Sequence, residues 1–169
     1  LDAALRQVLG KTVTQNGSYV AADRLRFDYS YSQPLTLLER QAVNRIVNEQ
    51  IRNNNVIKTD IMDLDEAKKS GALALFDEKY EEKVRVVSMG EFSKELCGGT
   101  HVDRTGDLGT FVIISDEAVA SGIRRIEAVA GAAAIDYLQA IVRNVVKTAN
   151  IMKADNMSIA EKTDVLVKR

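Results

Sequence analysis

One cysteine and one histidine occur in the 169 residues. They stand four positions apart, as Cys97 and His101, in the run Glu95-Leu96-Cys97-Gly98-Gly99-Thr100-His101-Val102. A thiolate and an imidazole are the two preferred protein ligands for zinc, and a short loop can aim both at one point. Gly98 and Gly99 make that loop pliable and permit close backbone approach to a ligand. The same residue types serve two other readings. A histidine can activate a thiol nucleophile, and the pair can equally be a free structural thiol beside an incidental ring. Spacing alone leaves all three open. Two ligands do not complete a tetrahedral zinc shell, and Glu95 and Asp103 are the nearest acidic substitutes.

The elements that must position this loop follow from periodicity. Leu1, Leu5, Val8 and Leu9 share one helix face that Gly10 can end. Residues 11–22 read as a hairpin with Asn16-Gly17 at its turn. Leu25, Phe27 and Tyr29 alternate with Arg24, Arg26, Asp28 and Ser30, the period of a half-buried strand with a solvated outer face. Pro34 suits the first turn of a helix whose face runs through Leu35, Leu38, Ala42 and Ile46 to about Arg52. Val56 to Met62 is predicted as a strand, and Asp65 to Ser70 as a short helix closed by Gly71 with Lys68 and Lys69 solvated. Val84, Val86 and Val87 lie in a strand before the Cys/His loop; Thr110 to Ser115 and Ile123 to Val129 are the last two strands. Arg124 and Arg125, adjacent on a strand, should point to opposite faces.

After Gly131 the texture changes. Ala134, Ile135, Leu138, Ile141, Val142, Val145 and Ala149 form a long amphipathic stripe, read first as core packing and second as an interface. Ser158 and Glu161 have the spacing of a capping box for a further helix. Strands interleaved with helices and then helices alone predict an α+β fold. Its antiparallel or mixed sheet wraps around helices over residues 1–131, with a helical tail over 132–169.

Composition narrows the class. The chain is 46% hydrophobic and has a net charge of −1, which supports a packed core and excludes a bulk nucleic-acid coat. Contact with RNA would come from local basic patches. One cysteine excludes an internal disulfide and fits a reducing, cytoplasmic setting. No apolar run approaches the roughly 20 residues of a membrane span, so no membrane partner is expected.

Four segments together resemble the editing domain of alanyl-tRNA synthetases and the free-standing proteins that share it. Gln15-Asn16-Gly17-Ser18 followed by Leu25-Arg26-Phe27-Asp28-Tyr29-Ser30 is similar to a Q-x-G-S and L-R-F-D-F-S signature. Gly71-Ala72-Leu73-Ala74-Leu75-Phe76 with Glu78-Lys79-Tyr80 is similar to G-A-x-A-L-F and E-K-Y blocks. Cys97-Gly98-Gly99-Thr100-His101 and the strand Gly122-Ile123-Arg124-Arg125-Ile126-Glu127-Ala128-Val129 complete the set. The related threonyl-tRNA synthetase domain shares the metal logic, but the last two segments favour the alanyl branch.

The resemblance implies zinc held by Cys97 and His101 together with an H-x-x-x-H pair just upstream of Leu1. The chain is therefore expected to be N-terminally truncated, and to be metal-free or to bind zinc poorly. The resemblance also implies hydrolysis of the ester joining serine or glycine to the alanine tRNA, with Gln15 near the serine hydroxyl. Thr100 and the amides of Gly98 and Gly99 would orient the ester. Arg124 or Arg125 would contact the tRNA, and Tyr80 and Lys79 would lie at the site rim. The physical need is plain: an alanine pocket cannot exclude smaller glycine, and a single methyl discriminates by only about 1–3 kcal/mol. The intact protein would ligate alanine to tRNA with ATP in a separate domain, and the tail would lead toward oligomerisation and the rest of that chain. A free-standing deacylase and a non-catalytic RNA-binding module of the same fold are the alternatives.

Overall fold

The computed structural model describes residues 1–74 and 80–168. Helix α1 (Asp2–Leu9) leads to strands β1 (Gln15–Val20) and β2 (Leu25–Ser30), then helix α2 (Leu37–Arg52). Strand β3 (Ile57–Asp63), helix α3 (Leu64–Lys69), β4 (Lys83–Met89) and β5 (Ser93–Leu96) follow. A 3-10 turn (Thr105–Leu108) precedes β6 (Phe111–Ala120) and β7 (Ile123–Ala130), and helices α4 (Gly131–Met152) and α5 (Ile159–Val167) end the chain. The strands form two antiparallel sheets, ordered β1-β2-β7-β6 and β3-β4-β5. The fold is α+β, as the interleaving of periods predicted.

Alternation in β2 sends Phe27 and Tyr29 inward, where they meet Ile126 and Ala128 of β7, Ala4 and Leu5 of α1, and Val43 and Ile51 of α2. A smaller core under α3 gathers Ala67, Ala72, Val84, Val86 and Leu96. Between β7 and α4 the chain turns at Gly131, whose φ of +60° favours glycine. A Cβ there would sit 3.3 Å from the Leu108 carbonyl oxygen.

Several local expectations are corrected. Asn16-Gly17 is not a hairpin turn: both residues lie inside β1, where the register slips between Gln15 and Gly17. The hairpin closes further on, where the Ala21 amide donates to the Arg24 carbonyl at 2.9 Å. A glycine inside a strand marks a bulge as readily as a turn, and continued pairing with β2 decides for the bulge. Helix α2 begins after Thr36, not at Pro34. The Glu39 amide donates to the Thr36 hydroxyl, and the Thr36 amide donates to Glu39 Oε2 at 2.8 Å, a capping box that overrides the proline signal. Leu38 is consequently 77% exposed, and the buried face of α2 is carried by Val43 and Ile51.

Ser158 caps nothing. Its backbone is not extended (φ −99°, ψ 2°), and its amide and hydroxyl instead bond Asp155. The α4 stripe is largely solvent-facing: Ala134 and Ala149 are buried, while Ile135, Leu138, Ile141 and Val142 are exposed. Strand β5 and the extension of β6 to Ala120 are elements that periodicity did not reveal.

Candidate functional site

The Cys/His loop is the direct continuation of β5. Leu96 ends that strand with its amide bonded to the Leu73 carbonyl at 2.8 Å, and the Cys97 amide donates to the Arg85 carbonyl at 3.1 Å. Arg85 then reaches forward from β4. Its Nη1 donates to the carbonyls of Cys97 (2.7 Å) and Gly99 (2.6 Å), so one guanidinium fixes both ends of the Cys97-Gly98-Gly99 turn. Charge-assisted bonds of this kind are the stronger class. Sequence reasoning missed Arg85; an arginine in an otherwise apolar strand, Val84-Arg85-Val86-Val87, was the available signal.

With the turn so held, His101 Nε2 and Cys97 Sγ lie 3.3 Å apart. Zinc bonds of about 2.3 Å to sulfur and 2.0 Å to nitrogen at a tetrahedral angle would separate the donors by roughly 3.5 Å. The pair therefore fits half of a zinc site in donor chemistry and spacing. Among the described residues no third His, Cys, Asp or Glu joins it to form a metal-binding group. Partial desolvation of the ring, and then the charge of Arg85, hold the His101 imidazole below its ordinary pKa against the opposing pull of Glu95. That favours the neutral ring, the form that can ligate or accept a proton.

A cleft of about 680 Å3 opens beside the pair, between α1 and β1 on one side and the end of β5 on the other. Gln15 and Ser18 line it together with Cys97, Gly98 and Gly99, so the structure brings these sequence-selected residues to one place. The β1 bulge turns Gln15 into this wall, where its Nε2 donates to Ser18 Oγ at 3.1 Å. A Cβ at Gly98 would meet nothing within 4 Å. Thr100 and His101 are exposed beyond the turn. From α1, Asp2 and Arg6 line the same cleft, as does Glu95 of β5.

The two adjacent arginines do point to opposite faces, and each has an acidic partner. Arg124 is buried: its Nε and Nη2 donate to the Asp116 carboxylate at 2.9 and 2.8 Å. The same carboxylate accepts from the Tyr29 hydroxyl (2.9 Å) and the Leu35 amide (2.8 Å). Burial and that carboxylate push the Tyr29 phenol far above its ordinary pKa. Arg125, on the more open face, forms a two-pronged pair with Asp28 at 2.7 and 2.8 Å. Glu127 pairs with Arg26 at 2.9 Å, directly across the strands. Neither arginine lines the cleft. Tyr80 borders a separate hollow with Asp63 and Glu82, and Lys79 lies outside the described residues.

Residues 84–127, from β4 through the Cys/His turn into β7, match the family described as the threonyl and alanyl tRNA synthetase second additional domain. Over that stretch the chain is similar to this domain. Its whole length is, more particularly, similar to alanine–tRNA ligases. It is 51% identical over 169 residues to the enzyme of Psychromonas ingrahamii, covering 100% of this chain and 20% of that protein. It is 53% identical over 162 residues to that of Shewanella loihica, covering 96% of this chain and 18% of the relative. The Pseudoalteromonas translucida enzyme is 48% identical over 169 residues, again 100% of this chain and 20% of the relative. The chain thus spans about a fifth of the length of the curated relatives it matches. Among the described residues no helix is long and apolar enough to cross a membrane.

Proposed function

We propose that residues 1–131 form an editing domain that hydrolyses the ester between serine or glycine and the alanine tRNA, with residues 132–169 as a helical extension. The observation that carries this reading is the convergence of Cys97 Sγ and His101 Nε2, 3.3 Å apart, beside a cleft that also holds Gln15. Cys97 and His101 would hold zinc, with further ligands from the upstream pair that the resemblance implies. Zinc bound there supplies positive charge that acidifies a water or anchors the aminoacyl end.

The rest falls to the chain's own groups. Gln15 presents its side-chain amide to the serine hydroxyl, a bond that an alanyl ester cannot make, so the alanyl ester is spared. Arg85 keeps the Gly98-Gly99 turn in one conformation, and the open space at Gly98 admits the ester close to the backbone. The exposed Thr100 hydroxyl, next along the loop, orients it. Arg125, the more exposed of the two arginines, is the better candidate for a tRNA phosphate. The tRNA, the ATP-dependent ligation of alanine, a cytoplasmic location and oligomerisation through the exposed α4 face all belong to this reading of the larger protein.

The test compares release of serine and alanine from the respective charged tRNAs, with zinc supplied, by protein extended upstream to take in the expected histidine pair. Serine should leave faster, and Gln15→Ala should erase the preference. Equal rates with wild-type protein would overturn the reading.

A further inference from the structure

The cleft holds a group that the hydrolytic reading leaves unused. Asp2, in the first turn of α1, is only 7% exposed, yet it lines the cleft. Its Oδ1 is buried with no hydrogen-bond partner among the described residues. Native proteins leave few such atoms, because a carboxylate oxygen stripped of water and given nothing in return is costly. The obvious internal partner, Arg6 one turn on, directs its Nη1 to the Val13 carbonyl at 2.6 Å instead. Glu95 lines the same cleft, and its charge acts on Asp2. Burial first, and then Glu95, raise the Asp2 pKa, opposed by Arg6. Two carboxyl groups thus bias this corner toward a cation, and one of their oxygens is vacant as an acceptor.

We propose that Asp2 is the specificity residue that receives the α-ammonium group of the aminoacyl moiety, an assignment that rests on the aminoacyl-ester reading above. An ammonium brings three donors and a positive charge, and a buried carboxylate oxygen is its natural complement. The ligand would then be gripped at separate points. Its ammonium meets Asp2, its side-chain hydroxyl meets Gln15, and its ester lies at the Cys97–Gly99 turn. Any acyl group lacking the amine forfeits the first.

The test uses two non-hydrolysable amide analogues of the adenosine end of charged tRNA: one carrying a seryl group, the other the same group without its amine. Binding is measured by calorimetry, with zinc supplied, to wild-type protein extended upstream to take in the expected histidine pair, and to its Asp2→Asn variant. The wild type should favour the amine-bearing analogue by roughly tenfold to a hundredfold, the worth of one charge-assisted bond. Asp2→Asn should remove that preference while leaving affinity for the des-amino analogue unchanged. Because this substitution relieves a buried charge, its melting temperature should match or exceed the wild type, and the ligand comparison within wild type requires no variant. Equal affinity for both analogues, or an amine preference that survives Asp2→Asn, overturns the assignment of Asp2 while the ester reading stands. Failure of the wild type to bind either analogue overturns the ester reading itself.

Discussion

Arg124 and Arg125 are neighbours of identical type on one strand, and replacing each in turn with methionine should give very different stabilities. The Arg124 guanidinium forms a buried pair with Asp116, with side chains 9% and 7% exposed, and its loss strands a carboxylate in the interior. Removing one partner of a buried pair typically costs about 3–5 kcal/mol. Here Asp116 keeps the Tyr29 hydroxyl and the Leu35 amide as donors, so the lower end, about 3 kcal/mol, is expected for Arg124→Met. Arg125 and Asp28 are 37% and 21% exposed, and a pair so open to solvent is worth about 1 kcal/mol at most. The chain has no tryptophan, so urea unfolding followed by circular dichroism is the assay, with equal slopes confirming that only stability changed. Losses within about 1 kcal/mol of each other, or a larger loss for Arg125→Met, would refute the division into a buried clasp and a surface pair.

Other outcomes follow from single sites. Arg85→Met should speed amide exchange across residues 97–100 by roughly tenfold, as two charge-assisted bonds to the turn disappear. Exchange in β2 and β7 should stay as it was, and uniform acceleration would contradict the local role. Gly131→Ala should cost about 1–2 kcal/mol for its left-handed backbone alone, whereas Gly98→Ala, with open space around it, should stay within about 0.5 kcal/mol in the same unfolding assay. The bond to Arg125 holds Asp28 below its ordinary pKa. A depressed carboxyl stabilises the fold above its unfolded pKa and loses that stabilisation as pH falls through the folded value. Asp28→Asn should therefore flatten the stability curve below about pH 4, and an unchanged acid limb would count against the pair.

Elements governed by local rules are legible in the amino-acid sequence itself. The alternation of Leu25, Phe27 and Tyr29 and the helix closed at Gly71 are examples, because each depends on neighbours close along the chain. What escapes such rules depends on partners further away. Asn16-Gly17 forms a bulge because β2 keeps pairing past it, and Leu38 is exposed because the Thr36 capping box sets the phase of α2. Within the site, Cys97 and His101 stand out by type and spacing. Arg85 does not, since its grip on two carbonyls is set by the β4–β5 register. Asp2 is equally hidden. Its first-turn position looks ordinary until burial and an unpaired oxygen are seen together.

The central claim is that Cys97 and His101 hold one metal that serves ester hydrolysis in the adjoining cleft. Its most direct test is a paired measurement of zinc content and serine release from seryl-tRNA, using protein extended upstream to take in the expected histidine pair. The comparison is between wild type and Cys97→Ala. The wild type should carry one zinc per chain and release serine well above the spontaneous rate, and Cys97→Ala should lose both together. Serine release that persists undiminished after the metal and the thiol are gone would contradict the claim.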